Sequence, residues 1–261
     1  MVSSQQSPSS PAAGSAAPKL MFFGDPHGDF RPIIAAVLRY RPEAIILLGD
    51  VQARRPLHIE LQPIRELTEV WYIHGNHDTD SDVDFDNLWG SELADRNLHG
   101  RVVEVAGYRV AGLGGVFRGR IWDPAGPKEK VQFHSPDALL RYMTHRGAPA
   151  DLWRSGIARK HHSSIFLAEY EAMLALKADV LVSHEAPIAA PGGYTSRHVG
   201  FQAIDDLAVS LGASLVVHGH HHRAIDYVHE GLMPAAAPFR AFGVDMGSHL
   251  AWPLVEGWGP R

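Results

Sequence analysis

Five short clusters of this chain carry side chains able to bind a metal ion or move a proton. They are Asp25 and His27 in Gly24-Asp25-Pro26-His27, Asp50 in Gly49-Asp50, and Asn76, His77 and Asp78 behind Gly75, followed by His184 behind Ser183 and by His220, His221 and His222 behind Gly219. The chain has 261 residues and no cysteine, so disulfides, thiolate catalysis and cysteine-held zinc or iron–sulfur sites are excluded. Any metal must be held by Asp, Glu, His, Asn, backbone or water. Histidine is abundant, at 17 residues, but abundance alone says little and placement has to decide.

Each cluster follows an apolar run. Residues 20–23, 44–48, 70–73, 180–182 and 215–217 are apolar throughout, as strands buried on both faces of an α/β sheet are. Ligands gather at the carboxyl ends of such strands, so residues far apart in sequence would converge on one edge, and the neighbouring glycines let the backbone turn there and leave room for a ligand. Between the runs, Ile33, Ile34, Val37 and Leu38 form a helical stripe behind Pro32, and Leu57, Leu61 and Ile64 have helical spacing. Residues 102–105 and 108–113 predict a hairpin around Ala106-Gly107. A helix capped by Ser163 or Ser164 runs to about residue 177, with Ile165, Ala168, Met173 and Leu176 inward, and another covers 201–211, closed by Gly212. Strands near 225–228 and 241–244 complete the sheets. Residues 1–17, rich in Ser, Pro, Ala and Gln, read as a disordered tail without a secretory signal; 18–261 read as one domain with a loop or cap inserted at about 114–162.

The ordered set D-x-H, G-D, G-N-H-D, H and G-H-x-H, spanning residues 25–222, resembles the calcineurin-like metallophosphoesterase superfamily. A single G-D or D-x-H carries no information; five blocks in order, each behind an apolar run, are specific. The resemblance implies a two-sheet α/β sandwich flanked by helices, with two metal ions at one edge. It assigns Asp25, His27 and His222 to the first ion, Asn76, His184 and His220 to the second, and Asp50 to a bridge between them. Mixed oxygen and nitrogen donors suit Mn, Fe, Zn, Co or Ni, with Mn favoured, whereas an all-oxygen set would favour Mg or Ca. The implied chemistry is attack of hydroxide on phosphorus, with His77 protonating the leaving group or stabilising its charge.

One position departs from the family. Members often carry G-D-x-x-D, whose second Asp orients the catalytic histidine, and here that place is Ala53. Asp78 or a residue from elsewhere would have to replace it. Arg54 follows, where an arginine binds phosphate in the protein-phosphatase branch; a phosphate contact and a solvated arginine are both open for it, and Arg55 reads as solvated. Arg197 and His198, between the His184 and His220 blocks, are candidate substrate contacts. His221 is expected to point away from its neighbours, and His74 to be structural. Arg118 and Arg120 have a substrate-phosphate contact as their alternative and the pair His161-His162 a place in a substrate wall, but all four are expected as ordinary surface residues; Trp122, Phe133 and Trp153 are expected as packing residues, with base stacking the alternative.

The predicted function is hydrolysis of a small phosphorylated substrate, a phosphomonoester or phosphodiester, with nucleotides among the candidates. The alternatives are a protein Ser/Thr phosphatase, suggested by Arg54 and G-N-H but opposed by Ala53, and a non-catalytic metal-binding scaffold, opposed by the complete donor set. A net charge of −5 disfavours a dedicated nucleic-acid binder. No apolar run reaches the ~18 residues of a membrane span, and the expected location is cytoplasmic. The sequence carries no indication of oligomeric state.

Overall fold

A computed structural model describes residues 17–124, 130–146, 152–154, 156–188, 200–229 and 238–254. The first residues of the predicted tail, 1–16, lie outside the described residues. In chain order the strands are β1 (Leu20–Phe23), β2 (Ala44–Leu48), β3 (Glu69–Ile73), β4 (Arg101–Val105), β5 (Tyr108–Leu113), β6 (Trp122–Asp123), β7 (Lys130–Val131), β8 (Val180–Ser183), β9 (Ala186–Pro187), β10 (Gly200–Phe201), β11 (Leu215–His218), β12 (Ile225–His229), β13 (Phe239–Gly243) and β14 (His249–Trp252). The helices are α1 (Arg31–Tyr40), α2 (Leu57–Glu60), α3 (Asp82–Trp89), α4 (Pro136–His145), α5 (Leu167–Leu174) and α6 (Gln202–Leu211).

Two sheets face each other. The first has the order β14-β1-β2-β3, parallel except for β14; the second has the order β12-β13-β11-β8-β5-β4, with four parallel central strands and antiparallel edges. Strand alternation explains why the central strands are apolar at every position. Leu20, Phe22, Ile46, Leu48 and Ile73 meet Val110, Val182, Val217 and Phe242 between the sheets. The alternate residues Met21, Phe23, Ile45, Leu47 and Tyr72 turn outward onto Ile33, Val37, Leu57, Leu61, Ile64 and Leu88. On the far side, Ala111, Leu113, Leu181 and Val216 pack against Tyr170, Met173, Ile204, Leu207 and Leu211. Each fully buried Leu, Ile, Val or Phe contributes about 1.5–3 kcal/mol, so both faces of each sheet are committed. Among the described residues, no helix is long and apolar enough to cross a membrane.

The expected sandwich is the observed fold, with local differences that include the unpredicted helix α3. The helix predicted from Ser163 or Ser164 begins at Leu167: Ser163 bonds Thr79 and Ser164 bonds His161, while Glu169 takes the N–H of Phe166 instead. Residues 114–162, expected to be irregular, contain α4, which is capped by Ser135 and has Pro136 in its first turn. The edge strand β14 was not anticipated, because its pairing with β1 joins residues more than two hundred positions apart.

Candidate metal centre

The loops after β1, β2, β3, β8 and β11 meet at one edge of the sandwich. The first two are joined by backbone bonds, His27 N–H to Asp50 C=O at 2.9 Å and Gly28 N–H to Val51 C=O at 3.0 Å. The backbone there is strained. Asp25, His27, Asp50, His220 and His222 all have positive φ, between 26° and 68°, a region that costs non-glycine residues energy and that clusters at functional sites. The glycines beside them serve close approach. A Cβ on Gly219 would lie 2.5 Å from Asp25 Oδ1, one on Gly75 would collide with Asp50 Oδ1, and one on Gly49 with His184 Nδ1. The room these glycines provide is room for the other potential ligands.

The seven predicted ligands come together. Asp25 Oδ2 accepts the His220 N–H at 2.7 Å and lies 3.4 Å from His222 Nε2; His222 Nε2 is 3.2 Å from His27 Nε2. Asp50 Oδ1 accepts the His77 N–H at 2.8 Å, and its Oδ2 is 3.4 Å from His184 Nε2, which is itself 3.3 Å from Asn76 Oδ1. Asp50, His184 and His220 each offer a donor atom within 4.8 Å of the others. Two of the imidazoles are oriented from behind. His184 Nδ1 donates to the Leu48 carbonyl at 2.8 Å, and His27 Nδ1 to Gln52 Oε1 at 2.6 Å, so each turns Nε2 toward the cluster, the arrangement common to metal-binding histidines.

The donors fit a cation. Asp25 Oδ1 is buried with no hydrogen-bond partner, and two ring nitrogens face each other at 3.2 Å, an arrangement satisfied by positive charge between them. Burial pushes Asp25 up to about 6 against the pull of His184. Burial would also raise Asp50 and lower His184, but each is overcome by the other: Asp50 is lowered, and His184 is raised to about 10. Burial and the neighbouring His184 charge lower His220 to about 3, which leaves a neutral ring able to donate a lone pair.

His77 lies beside this cluster, its ring 5.7 Å from that of His27, and its Nδ1 bonds Asp80 Oδ2 at 2.5 Å. Asp80 therefore makes a contact with His77 that the alanine at position 53 has no side-chain oxygen to make. Ala53 itself is buried in the core outside the first sheet. Asp78 is occupied elsewhere, taking the N–H of Gln52 and that of Gly75, both at 2.8 Å. The Asp80 hydrogen bond raises the pKa of His77.

Arg54 is exposed beside Gly28, on the His27 flank, and Arg55 pairs with Glu60 at 2.9 Å. Arg197 and His198 lie outside the described residues. His221 packs its ring against those of His220 and His218. His74 is buried between Trp89 and His99. Trp122 is core, and Trp153 packs on Phe85. Two expectations are corrected. His161 and His162 do not lie on a solvated loop; with His74, His99 and Trp89 they line a cavity of about 340 Å³. Arg118 is half-buried, drawn in by the fold of residues 159–163 over its loop. Gln52, Asp80 and the Leu48 carbonyl escaped the sequence reading. Asp80 had a signal, standing three residues after His77 at the start of a helical turn.

The calcineurin-like phosphoesterase family matches residues 18–224. An uncharacterized protein of Haemophilus influenzae is 41% identical over 208 residues, 80% of this chain and 85% of its own length. The crystal structure of TT1561 of Thermus thermophilus superimposes with a TM-score of 0.52 at 15% identity, covering 90% of this chain and 94% of that one, which shows a shared fold. With a single family matched from the first strand through the last of the converging histidines, the chain belongs to the calcineurin-like phosphoesterase family.

Proposed function

We propose that this phosphoesterase is a binuclear metal-dependent hydrolase of small phosphomonoesters or phosphodiesters, nucleotides among them. The observation that carries the reading is the convergence of seven oxygen and nitrogen donors, five of them on left-handed backbone, around an unpartnered buried carboxylate oxygen. Asp25, His27 and His222 would hold one ion, Asn76, His184 and His220 the other, and Asp50 would bridge them. Two divalent ions, manganese favoured among Mn, Fe, Zn, Co and Ni, would supply a polarised phosphoryl oxygen and hydroxide near neutral pH. The chain's own residues do the rest. Gln52 and the Leu48 carbonyl fix which ring nitrogens of His27 and His184 face inward. His77 presents Nε2 as a proton donor to the leaving oxygen, its Nδ1–H held by Asp80. Arg54, Arg197 and His198 are the proposed substrate contacts.

A metal-by-substrate screen tests this. An aryl monoester, an aryl diester, a cyclic nucleotide, nucleoside diphosphates and a phosphopeptide are offered with Mn, Zn, Ni, Co and Mg. Turnover of a small ester with a transition metal is expected. Asp50→Ala should abolish it, and His77→Ala should lower kcat by about 10²–10⁴-fold with metal retained. A fully metallated protein inert to every ester would sink the proposal; preference for the phosphopeptide would point to a protein phosphatase. Full activity of Asp50→Ala would sink the mechanism.

A further inference from the structure

Arg118 stands apart from the other arginines. Seven described arginines, Arg109 with Asp179 and Arg240 with Asp226 among them, sit in carboxylate ion pairs. Arg118 has no carboxylate within ion-pair distance among the described residues, although it is half-buried. Among those residues its guanidinium bonds Ser163 Oγ, from Nη2 at 3.3 Å, and its Nε is buried without a partner. A guanidinium has five N–H donors in a fixed fork, and among the described residues Ser163 takes up the bond from Nη2. Keeping a cation partly desolvated and unpaired is costly, and an arriving anion would remove that cost.

Its position says which anion. The N–H of the adjacent Phe117 bonds Glu185 Oε1 at 3.2 Å, and Glu185 follows His184. Ser163 Oγ lies 2.7 Å from Thr79 Oγ1, which donates to the carbonyl of Asn76 at 3.2 Å. Two hydroxyls thus tie the Arg118 side chain to the loop that carries Asn76 and His77. Through Ser163 and Thr79 the guanidinium is linked to the loop of His77 and Asp80, the flank where the leaving group departs if His77 protonates it.

We propose that Arg118 binds a phosphate carried by the leaving group, so that the substrate class is a phosphoric anhydride such as a nucleoside diphosphate. This rests on the phosphoesterase reading above. In that reaction water oxygen bonds the terminal phosphorus and the bond from that phosphorus to the bridging oxygen breaks. The electron pair stays on the bridging oxygen, which takes the His77 proton; the water proton goes to solvent. Arg118 pairs with the phosphate that departs, by the bidentate hydrogen bonds guanidinium makes to phosphate.

The test compares kcat/KM of a nucleoside diphosphate with that of an aryl phosphate, whose leaving group has no anion, in the metal-loaded wild type, Arg118→Met and Arg118→Lys. The ratio of diphosphate to aryl ester should fall at least about tenfold in Arg118→Met, chiefly through KM, with Arg118→Lys intermediate. Equal losses on both substrates, with a displaced pH profile, would make Arg118 a support for Asp80 and overturn the proposal. So would a wild type that cleaves the aryl ester but not the diphosphate. If Arg118→Met fails to fold, the lysine variant decides, since an unchanged ratio in it also overturns the proposal. A wild type inert to both substrates would instead indict the phosphoesterase reading.

Discussion

The hydrogen bond between His77 Nδ1 and Asp80 Oδ2, at 2.5 Å, restores at i+3 what Ala53 takes away. Both side chains are about half exposed, so the pair works by orientation and local charge and adds little stability. Its effect is on protonation: the carboxylate favours the charged imidazolium and raises the His77 pKa, so the imidazolium persists to higher pH, as the proposed proton donation to a leaving group would require. Asp80→Asn removes that charge. The basic limb of the kcat profile is expected to move to lower pH, with the loss growing for substrates with poorer leaving groups. Matching profiles for variant and wild type would show that His77 is oriented by something else.

At the scale of elements, the centre consists of strand-end loops tied to one another. Asp78 is the main tie: its buried carboxylate accepts the Gln52 N–H from the loop after β2 and the Gly75 N–H from the loop after β3. Burial pushes this acid up to about 7, a measure of how far it is removed from water. Asp78→Ala would leave two buried amides unsatisfied, at about 1–3 kcal/mol each. Urea unfolding should report a loss of about 2–6 kcal/mol, and metal affinity should fall as well, because Gln52 holds His27 and Gly75 lies against Asp50. A variant as stable as the wild type would show that solvent reaches these amides.

Across the whole molecule, the donors come from both sheets: Asp25, Asp50 and Asn76 from the ends of the first, His184, His220 and His222 from the ends of the second. The inter-sheet core of Phe22, Ile46, Val182 and Val217 sets the distance between the two sets. An ion at their junction binds the folded chain and not the unfolded one, so it should stabilise the sandwich as a unit, by about 2.7 kcal/mol at one hundred times its Kd. Calorimetry should show Tm rising with Mn and falling on chelation, within one transition. Asp50→Ala should remove most of the rise. Equal shifts in variant and wild type would place the ion elsewhere.

The five blocks and the apolar runs before them were legible because both are local patterns. A strand buried on two faces must be apolar throughout, and a residue following it must sit at the sheet edge, so order predicted the convergence of the clusters at one edge, while the two-sheet sandwich and the choice of seven donors came with the family resemblance. α4 also has a local signal, in Ser135-Pro136 and the spacing of Leu139 and Met143. What the sequence could not determine depends on which loops lie beside one another. Gln52 is one polar residue among many until the fold sets it against His27. Asp80 outranks Asp78 as the partner of His77 only because Asp78 is turned inward between two loops. Arg118 reads as an ordinary surface arginine until residues 159–163 fold against it and leave a half-buried cation with no carboxylate at ion-pair distance among the described residues. Burial and hydrogen-bond partners belong to the packed chain, and only the tertiary structure assigns them.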